Sequence, residues 1–476
     1  MRILESTFLL ISTIVLILRL GSSSGRVRWS RYLSLVVAAI VLAHLLKEGW
    51  RWQMVPGYVV AAGTLLAGTV ASRLPRIAIW SGFLFLGLST AAGLAYPVFA
   101  FPTPSGPMAV GTMVQNLVDR SRQETRGPGP RQLMIQVWYP ADASAGSAPA
   151  PYLFTGKQAD GYFERYQALV KTHAFADTPV RAQPRTYSVL IYSPSWHGER
   201  YQNTFLMQEL ASHGFIVVAI DHPYGSAATV FPDGRVVRAE RTAFTDTSSE
   251  QALRSSVQNI ERELQVRTQD VIFVLDALAR FNQPDSGSRL AGRLDLSRIG
   301  VLGFSFGGAV AAEVCHRDSR FRAGLDMDGD LYGEAAGSGV QQPFLFMDET
   351  LDSPAPAQLL ASNSSQRREA ELDDRALRLE LRSVERFGGY RLAIRGTEHD
   401  NFTDAPLISP LRFLTHVGPL PRDRSLSIMS TYALAFFGKH LNQTPQPLLD
   451  GPSREYPEVQ FQAWTPAVGL PPAAAN

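Results

Sequence analysis

The segment Gly303-Phe304-Ser305-Phe306-Gly307 places one serine between two glycines. An apolar run ending at Leu302 precedes this segment, and Ala309–Cys315, a good helix former, follows it. A strand, a Gly-x-Ser-x-Gly turn and a helix in this order are typical of a nucleophile elbow. The glycines remove side chains that would clash in a strained turn, so the serine hydroxyl can project clear of the sheet. We therefore interpret Ser305 as a nucleophile rather than as the capping serine of an ordinary turn.

A serine attacks only when a base takes its proton and an acid orients that base. In folds with this elbow the acid and then the histidine follow the serine along the chain. The histidines after Ser305 are His316, His399, His416 and His440. Only His399 lies in a polar loop, Gly396–Phe402, directly after a predicted strand, whereas the others read as helix or packing residues. The sequence therefore predicts His399 as the base.

Three aspartates are candidates for the acid. Asp326 and Asp328 lie at the end of one predicted strand, and Asp348 ends the next. Asp328 ranks first because it stands at the strand end before a turn glycine, Asp326 ranks second and Asp348 third. The sequence pattern leaves all three open.

An acyl-transfer site also needs two backbone N–H groups aimed at the developing oxyanion. One is expected from Phe306, the residue after the nucleophile. The other is expected from the loop Ser193–Gly198, which follows a predicted strand, and Trp196 is the residue we select there.

The elements that must position these residues alternate between strand and helix. Short β-branched, apolar runs recur between helical stretches, which is typical of a mostly parallel sheet covered by helices. The predicted strands are Leu133–Tyr139, Tyr187–Tyr192, Phe215–Ile220, Arg298–Gly303, Arg322–Met327, Pro343–Met347 and Tyr390–Ile394. The predicted helices are Val257–Arg280, the charged insertion Gln366–Arg386 and Leu426–Leu441. The pattern predicts an α/β-hydrolase fold.

The first hundred residues have a different composition. Four apolar stretches there approach the length of a membrane-spanning helix and lack a polar face. They are Leu4–Leu18, Tyr32–Leu46, Met54–Ala71 and Ile77–Phe99. We predict a bundle of about four transmembrane helices in residues 1–101, an α/β-hydrolase domain in residues 102–450 and a C-terminal tail in residues 451–476.

The placement of positive residues predicts the orientation of this bundle. The loops after the first and third stretches carry six arginines, whereas the opposite side carries only Arg2, Lys47 and Arg51. The six are Arg19, Arg26, Arg28, Arg31, Arg73 and Arg76. The prediction is a multi-pass membrane protein, as of a bacterial inner membrane, with an extracytoplasmic catalytic domain. A count different by one span would reverse this orientation.

The net charge and the cysteine content argue against a nucleic-acid-binding protein and against a protein held by disulfides or a metal cluster. The 476 residues carry a formal net charge of only +2, which argues against nucleic acid as a partner. A single cysteine, Cys315, forms no internal disulfide and is too little for a metal cluster. We expect no metal and no cofactor.

Taken together, the motifs resemble the plasma-type (group VII phospholipase A2) platelet-activating factor acetylhydrolases and their bacterial relatives. The resemblance runs from about Pro104 to the end of the last predicted helix, which is nearly all of the soluble part. It rests on the segments Gly106–Thr112, Val137–Pro140, Leu210–Phe215, Gly303–Gly308, Arg320–Arg322 and Ile394–Phe402.

The resemblance implies calcium-independent release of short or oxidised acyl chains from phospholipids. Its acid follows an Arg-Phe-Arg segment, which selects Asp328, and its oxyanion donors correspond to Trp196 and Phe306. The loop Ser193-Pro194-Ser195-Trp196 departs from the family's usual His-Gly and looks more like the loops of cutinases and polyester hydrolases.

The predicted function is a carboxylic ester hydrolase, similar to 1-alkyl-2-acetylglycerophosphocholine esterase, that works through an acyl-Ser305 intermediate beside a membrane. One alternative is a broad carboxylesterase or polyester hydrolase without phospholipid preference. A second is a membrane-anchored protein that only binds ligand, which the presence of Ser305, Asp328 and His399 disfavours.

Overall fold

The four apolar stretches near the N-terminus form helices in a computed structural model, which describes residues 1–21, 23–70, 74–142, 148–154, 161–239 and 242–466. These helices are α1 (Ile3–Leu20), α2 (Ser24–Lys47), α3 (Val55–Val70) and α4 (Arg76–Ala95). By length and composition α1, α2 and α4 are able to cross a membrane. Helix α3 has 16 described residues, and Ala71 and Arg73, which the predictions used, lie outside the described residues.

A buried ion pair lies within this helical bundle. The Arg51 guanidinium donates to both carboxylate oxygens of Glu5 at 2.7 Å, and both side chains are fully buried. His44 is also fully buried; its ring nitrogens lie 3.0 Å from Glu48 and 2.7 Å from the Tyr58 hydroxyl. Glu5, His44 and Glu48 have metal-ligating atoms within 4.8 Å of one another, but hydrogen bonds to protein groups already engage them. The sequence pattern predicts none of these contacts.

The chain divides by packing into two compact units. The first comprises Met1–Ala100, Pro151–Lys171 and Pro406–Thr415, and the second comprises the remainder. In the first unit Trp52 donates from its indole to the Phe163 carbonyl at 2.8 Å, and the Trp50 and Tyr162 rings lie 5.7 Å apart. Two segments beyond the predicted boundary at residue 101 thus group with the N-terminal helices, and aromatic contacts of Tyr162 and Phe163 hold the first of them.

An eleven-stranded sheet forms most of the second unit. Its order is β13-β12-β11-β10-β9-β5-β6-β2-β1-β4-β3, and the run from β6 to β12 in that order is parallel throughout. A separate hairpin pairs β7 with β8. The strands are β1 (Ala109–Gln123), β2 (Pro130–Ala141), β3 (Pro149–Pro151), β4 (Lys171–Ala176), β5 (Tyr187–Ser193), β6 (Phe215–Asp221), β7 (Ala228–Val230), β8 (Val236–Arg238), β9 (Leu294–Phe304), β10 (Phe321–Met327), β11 (Phe344–Asp348), β12 (Gly389–Ile394) and β13 (Val459–Trp464).

Helices cover both faces of this sheet. The helices that follow the N-terminal bundle are α5 (Thr204–Ser212), α6 (Glu250–Phe281), α7 (Phe306–Arg317), α8 (Gly333–Ser338), α9 (Pro356–Leu359), α10 (Ser364–Phe387), α11 (Ala405–Ile408) and α12 (Arg422–His440), and those that pack on the sheet include α6, α7 and α12. On β9, Ile299 and Val301 belong to the core formed with α6 and α7. Gly300 between them faces Phe437 of α12, because alternate strand residues point to opposite faces.

Burial explains why the central strands are apolar throughout. Every residue of β5 and β6 is buried, as expected for parallel strands covered on both faces. The prediction of a large, mostly parallel sheet flanked by helices is confirmed. The long strand β1 was missed, since its second half alternates into polar, exposed residues.

The predicted C-terminal tail needs a correction. Val459–Trp464 pairs antiparallel with β12, from Gly389 opposite Trp464 to Ile394 opposite Val459. Phe461 packs 6.0 Å from the Tyr390 and Tyr432 rings, so this short segment is held by aromatic contacts. Residues 467–476 lie outside the described residues.

Candidate active site

Ser305 occupies a sharp turn between β9 and α7. Its backbone angles are φ 55° and ψ −123°, and its N–H donates to the Met327 carbonyl of β10 at 2.8 Å. A Cβ added at Gly303 would lie 1.9 Å from the Gly307 carbonyl oxygen, and one at Gly307 would lie 2.0 Å from that of Ser193. Both clashes are with backbone, so only glycine fits on either side. The turn therefore has the geometry of a nucleophile elbow.

His399 and Asp328 form a short hydrogen-bonded pair. His399 Nδ1 lies 2.5 Å from Asp328 Oδ2. Asp328 directly follows β10, and its other carboxylate oxygen accepts the Glu349 N–H at 2.7 Å. His399 begins a short 3-10 helix after β12, with its ring 4.7 Å from that of Phe304. The parallel strands β10 and β12, which flank β11, thus deliver both groups to the carboxyl-terminal edge of the sheet.

The other two candidate acids are placed differently. Asp326 is fully buried beneath the elbow, where a Cβ added at Gly308 would lie 1.6 Å from its Oδ1. Asp348 is 5% exposed and ends β11. Burial raises the pKa of both carboxyls well above the usual range. Of the three candidate acids, all of them described, Asp328 is the one hydrogen-bonded to His399.

Ser305, Asp328 and His399 line one cavity of about 530 Å³. The walls are rich in acidic groups, and no lysine or arginine is among the described lining residues. Burial, together with the negative charge of Asp328, raises the pKa of Asp330 to about 6 despite a hydrogen bond from Tyr332. The acidic lining residues are Asp328, Asp330, Asp348, Glu349, Asp352, Asp373 and Glu380.

This acidic surrounding acts on the imidazole of His399. Partial burial lowers its pKa, but the hydrogen bond to Asp328 and the charges of Asp328, Asp400 and Glu349 raise it more. The net pKa of His399 lies above the ordinary value of 6.5. Such a shift makes the imidazole a stronger proton acceptor.

Two backbone N–H groups at the expected oxyanion positions have no partner. In the part of the chain that the structure describes, neither Trp196 N–H nor Phe306 N–H donates a hydrogen bond. The Trp196 ring lies 5.1 Å from the Phe306 ring, and its indole N–H donates to the Thr242 carbonyl at 3.2 Å. Both donors therefore remain available to an oxyanion.

Arg267 on α6 holds the loop that carries Trp196. It is fully buried and donates to the carbonyls of Pro194 at 3.0 Å and Ser195 at 2.9 Å. Its guanidinium also lies 5.0 Å from the centre of the Phe306 ring. Arg267 was not predicted from the sequence, because an arginine in an amphipathic helix reads as a solvated residue until its burial is known.

A second serine, histidine and aspartate set lies behind this loop. His222 Nε2 lies 3.2 Å from Ser193 Oγ, and His222 Nδ1 lies 2.9 Å from Asp270 Oδ2. Arg131 donates to the same oxygen of Asp270 at 2.6 Å. Burial lowers the pKa of His222 to about 4, so the ring is neutral. Ser193 and His222 are fully buried, which closes them to substrate, and the set supports the loop rather than reacting.

Comparisons with known proteins agree with this geometry. Residues 100–446 match the family described as platelet-activating factor acetylhydrolase, isoform II. A probable 1-alkyl-2-acetylglycerophosphocholine esterase of Arthroderma benhamiae is 24% identical over 441 residues, which cover 86% of this chain and 99% of that protein. A platelet-activating factor acetylhydrolase of Cavia porcellus is 24% identical over 57% of this chain and 61% of its own length. A solved ferulic acid esterase of Streptomyces cinnamoneus superposes with a TM-score of 0.61 and 30% identity, over 76% of this chain and 99% of that one.

Proposed function

Since this chain belongs to the platelet-activating factor acetylhydrolase, isoform II, family, we propose that it is a serine hydrolase that releases short or oxidised acyl chains from phospholipids. Members of this family are ester hydrolases, and so is this chain. The observation that carries the proposal is the 2.5 Å contact between Asp328 and His399 in the cavity that Ser305 lines. A protein that only binds ligand has no use for a strained serine beside a paired imidazole.

The proposed reaction proceeds in two halves. His399 accepts the proton of the Ser305 hydroxyl as its oxygen attacks the ester carbonyl carbon, and Asp328 stabilises the imidazolium. The N–H groups of Trp196 and Phe306 receive the oxyanion. His399 then gives its proton to the departing alcohol, which leaves an acyl-Ser305 ester. A water molecule activated by His399 releases the acid and restores the serine.

The names of the relatives support a phospholipid substrate. Two of the proteins that this chain matches are called an acetylglycerophosphocholine esterase and a platelet-activating factor acetylhydrolase. A specific observation favours a second candidate, a broad carboxylesterase or polyester hydrolase. The solved ferulic acid esterase is 30% identical, and the loop Ser193–Trp196 looks like that of cutinases.

A chain-length series separates the two candidates. Purified protein is tested on p-nitrophenyl esters of increasing acyl length and on phospholipids with matching 2-acyl groups. We expect turnover of the phospholipids, with a steep fall in rate beyond short acyl chains. Comparable rates on simple esters with none on phospholipid would support the carboxylesterase instead.

We further propose that the N-terminal bundle spans a membrane and that the catalytic domain, residues 102–450, lies on its extracytoplasmic side. Support for a membrane-spanning bundle comes from the three helices long and apolar enough to cross, and from many large apolar side chains exposed on the bundle surface. Leu10 is 63% and Leu84 62% exposed. Lipid contact removes the cost of leaving such surfaces in water. The extracytoplasmic placement also requires α3 (Val55–Val70) as the fourth span. No metal or cofactor takes part in the proposed reaction.

A further inference from the structure

Helix α10 presents two opposite faces of opposite charge. Asp373, Ala376, Leu377 and Glu380 line the catalytic cavity. Residues two positions later, about 200° round the axis at 100° per residue, line a separate groove of about 980 Å³. The floor of this groove is the C-terminal end of α8 and the glycine that follows it. The proposed reaction uses the first face and leaves the second without a role.

Four arginines from α10 line this second groove. They are Arg375, Arg378, Arg382 and Arg386, at spacings of three, four and four residues, and they define what we call the arginine groove. The acidic residues along it are Asp374 and Glu385. Like charges at these spacings repel one another on a helix. The groove therefore concentrates positive charge in a concave surface.

Two of these four arginines have a partner among the described residues, and the other two have none. Arg378 pairs with Asp374 at 2.7 Å, and Arg386 donates to the Ser338 carbonyl at 3.4 Å. Among the described residues, Arg375 and Arg382 form no ion pair and no hydrogen bond. Elsewhere on the same helix Arg368 donates to the Thr247 carbonyl at 2.8 Å, so α10 does pair its arginines where partners exist.

We propose that the arginine groove binds an anion that carries phosphate groups. The guanidinium fork matches the oxygens of a phosphate and holds it with two parallel hydrogen bonds. Arg375 and Arg382 supply free forks, and Arg378 and Arg386 add charge on either side. The near-neutral chain as a whole disfavours a nucleic acid, which demands a broader basic surface. The phosphate belongs to a lipid headgroup or to a free phosphate compound.

Binding of inorganic pyrophosphate tests the proposal. The full chain is reconstituted in phosphatidylcholine nanodiscs and titrated by calorimetry at low ionic strength. We expect saturable binding that weakens as salt rises, because exposed charges are screened. The double variant R375Q/R382Q should bind about tenfold more weakly. A matched control, R254Q/R262Q, removes two exposed arginines of α6 outside the groove and should bind within about twofold of the parent.

A second arm identifies the source of the phosphate. Adding phosphatidylglycerol to the nanodiscs should lower pyrophosphate binding by the parent but not by R375Q/R382Q if a lipid headgroup occupies the groove. Unchanged binding would assign a free phosphate compound instead, and both results support the site.

The proposed site would be overturned by absence of pyrophosphate binding in phosphatidylcholine nanodiscs, or by equal weakening in both double variants. Thermal unfolding of each variant checks its fold, and ester hydrolysis is measured separately because the groove is independent of Ser305.

Discussion

At the residue scale, the nucleophile, the acid and one residue of the oxyanion loop have strained backbone angles. Ser305, Asp328 and His197 have φ values of 55°, 56° and 61°, a region that residues with side chains rarely adopt. Each such residue costs about 1–3 kcal/mol unless its surroundings hold it. The Met327 and Met347 carbonyls accept the N–H groups of Ser305 and Asp328, both at 2.8 Å. The sheet therefore fixes the reacting groups before substrate arrives.

Replacing Asp328 by asparagine tests the role of the acid. The D328N variant keeps the size of the side chain but loses the charge that stabilises the His399 imidazolium. By analogy with the loss of the aspartate in other serine triads, we expect kcat to fall about 10⁴-fold. The measurement is steady-state hydrolysis of p-nitrophenyl acetate.

The control for this variant is D348N. Burial raises the pKa of Asp348 and so favours the uncharged carboxyl, which an amide resembles closely. Its turnover should stay within about threefold of the parent. Equal losses in D328N and D348N would argue against Asp328 as the partner of His399.

The raised pKa of His399 predicts the pH dependence of kcat/KM. The imidazole accepts a proton only when neutral, so activity should rise as pH increases through its pKa. Because that pKa lies above 6.5, the midpoint of the acid limb should also lie above pH 6.5. In D328N the carboxylate charge that stabilises the imidazolium and raises the pKa of His399 is lost, so the midpoint of its residual activity should move to lower pH. A midpoint that is the same in both proteins would contradict this assignment.

At the scale of elements, helix α6 positions the oxyanion loop through a single side chain. Arg267 holds the Pro194 and Ser195 carbonyls, which should orient the neighbouring Trp196 N–H. We expect R267Q to lower kcat about 10²-fold while KM changes little, since ground-state binding does not use the oxyanion donors. R267K, which keeps a charged donor, should recover part of the loss.

A buried arginine elsewhere provides the control for Arg267. Arg200 is 2% exposed and pairs with Asp221, but it donates to no residue of the loop Ser193–Trp196. R200Q should lower the unfolding temperature as R267Q does and retain kcat within about tenfold. A loss of stability without a selective loss of kcat in R267Q would mean that Arg267 is only structural.

Local pattern was enough to predict several elements and not others. Central strands such as Tyr187–Ser193 are continuously apolar, so a short window identifies them. The motif around Ser305 and the loop of His399 likewise carry their own signals. Val459–Trp464 becomes a strand only because β12 offers it an unpaired edge, and Arg267 becomes important only because α6 is buried at that point. Both depend on contacts between residues far apart in the chain.

At the scale of the whole molecule, the packing units do not follow the order of the chain. Pro151–Lys171 and Pro406–Thr415 pack with the N-terminal helices although each lies beyond the linker near residue 101. Composition reveals a change from apolar to mixed sequence at that linker, but it carries no information on later segments that return. The predicted boundary at residue 101 therefore marks the change in composition, but the packing units cross it.

The orientation of the bundle is testable by cysteine accessibility. In a C315A background, the single substitutions S24C and S453C are made and each protein is treated with a membrane-impermeant maleimide on intact cells. An even number of spans predicts that the S453C variant is labelled directly, whereas the S24C variant is labelled only after the membrane is opened. The reverse pattern would place the catalytic domain inside the cell with an even number of spans, and labelling of both variants on one side of the membrane would require an odd number.

Labelling by a fluorophosphonate, followed by peptide mass spectrometry, tests the central claim most directly. Such a probe bonds only to a serine whose hydroxyl has been activated for attack. We predict one adduct per chain, on Ser305, that is absent in S305A and forms far more slowly in H399A. An adduct on another residue, or a parent protein that hydrolyses esters without reacting at Ser305, would contradict the account.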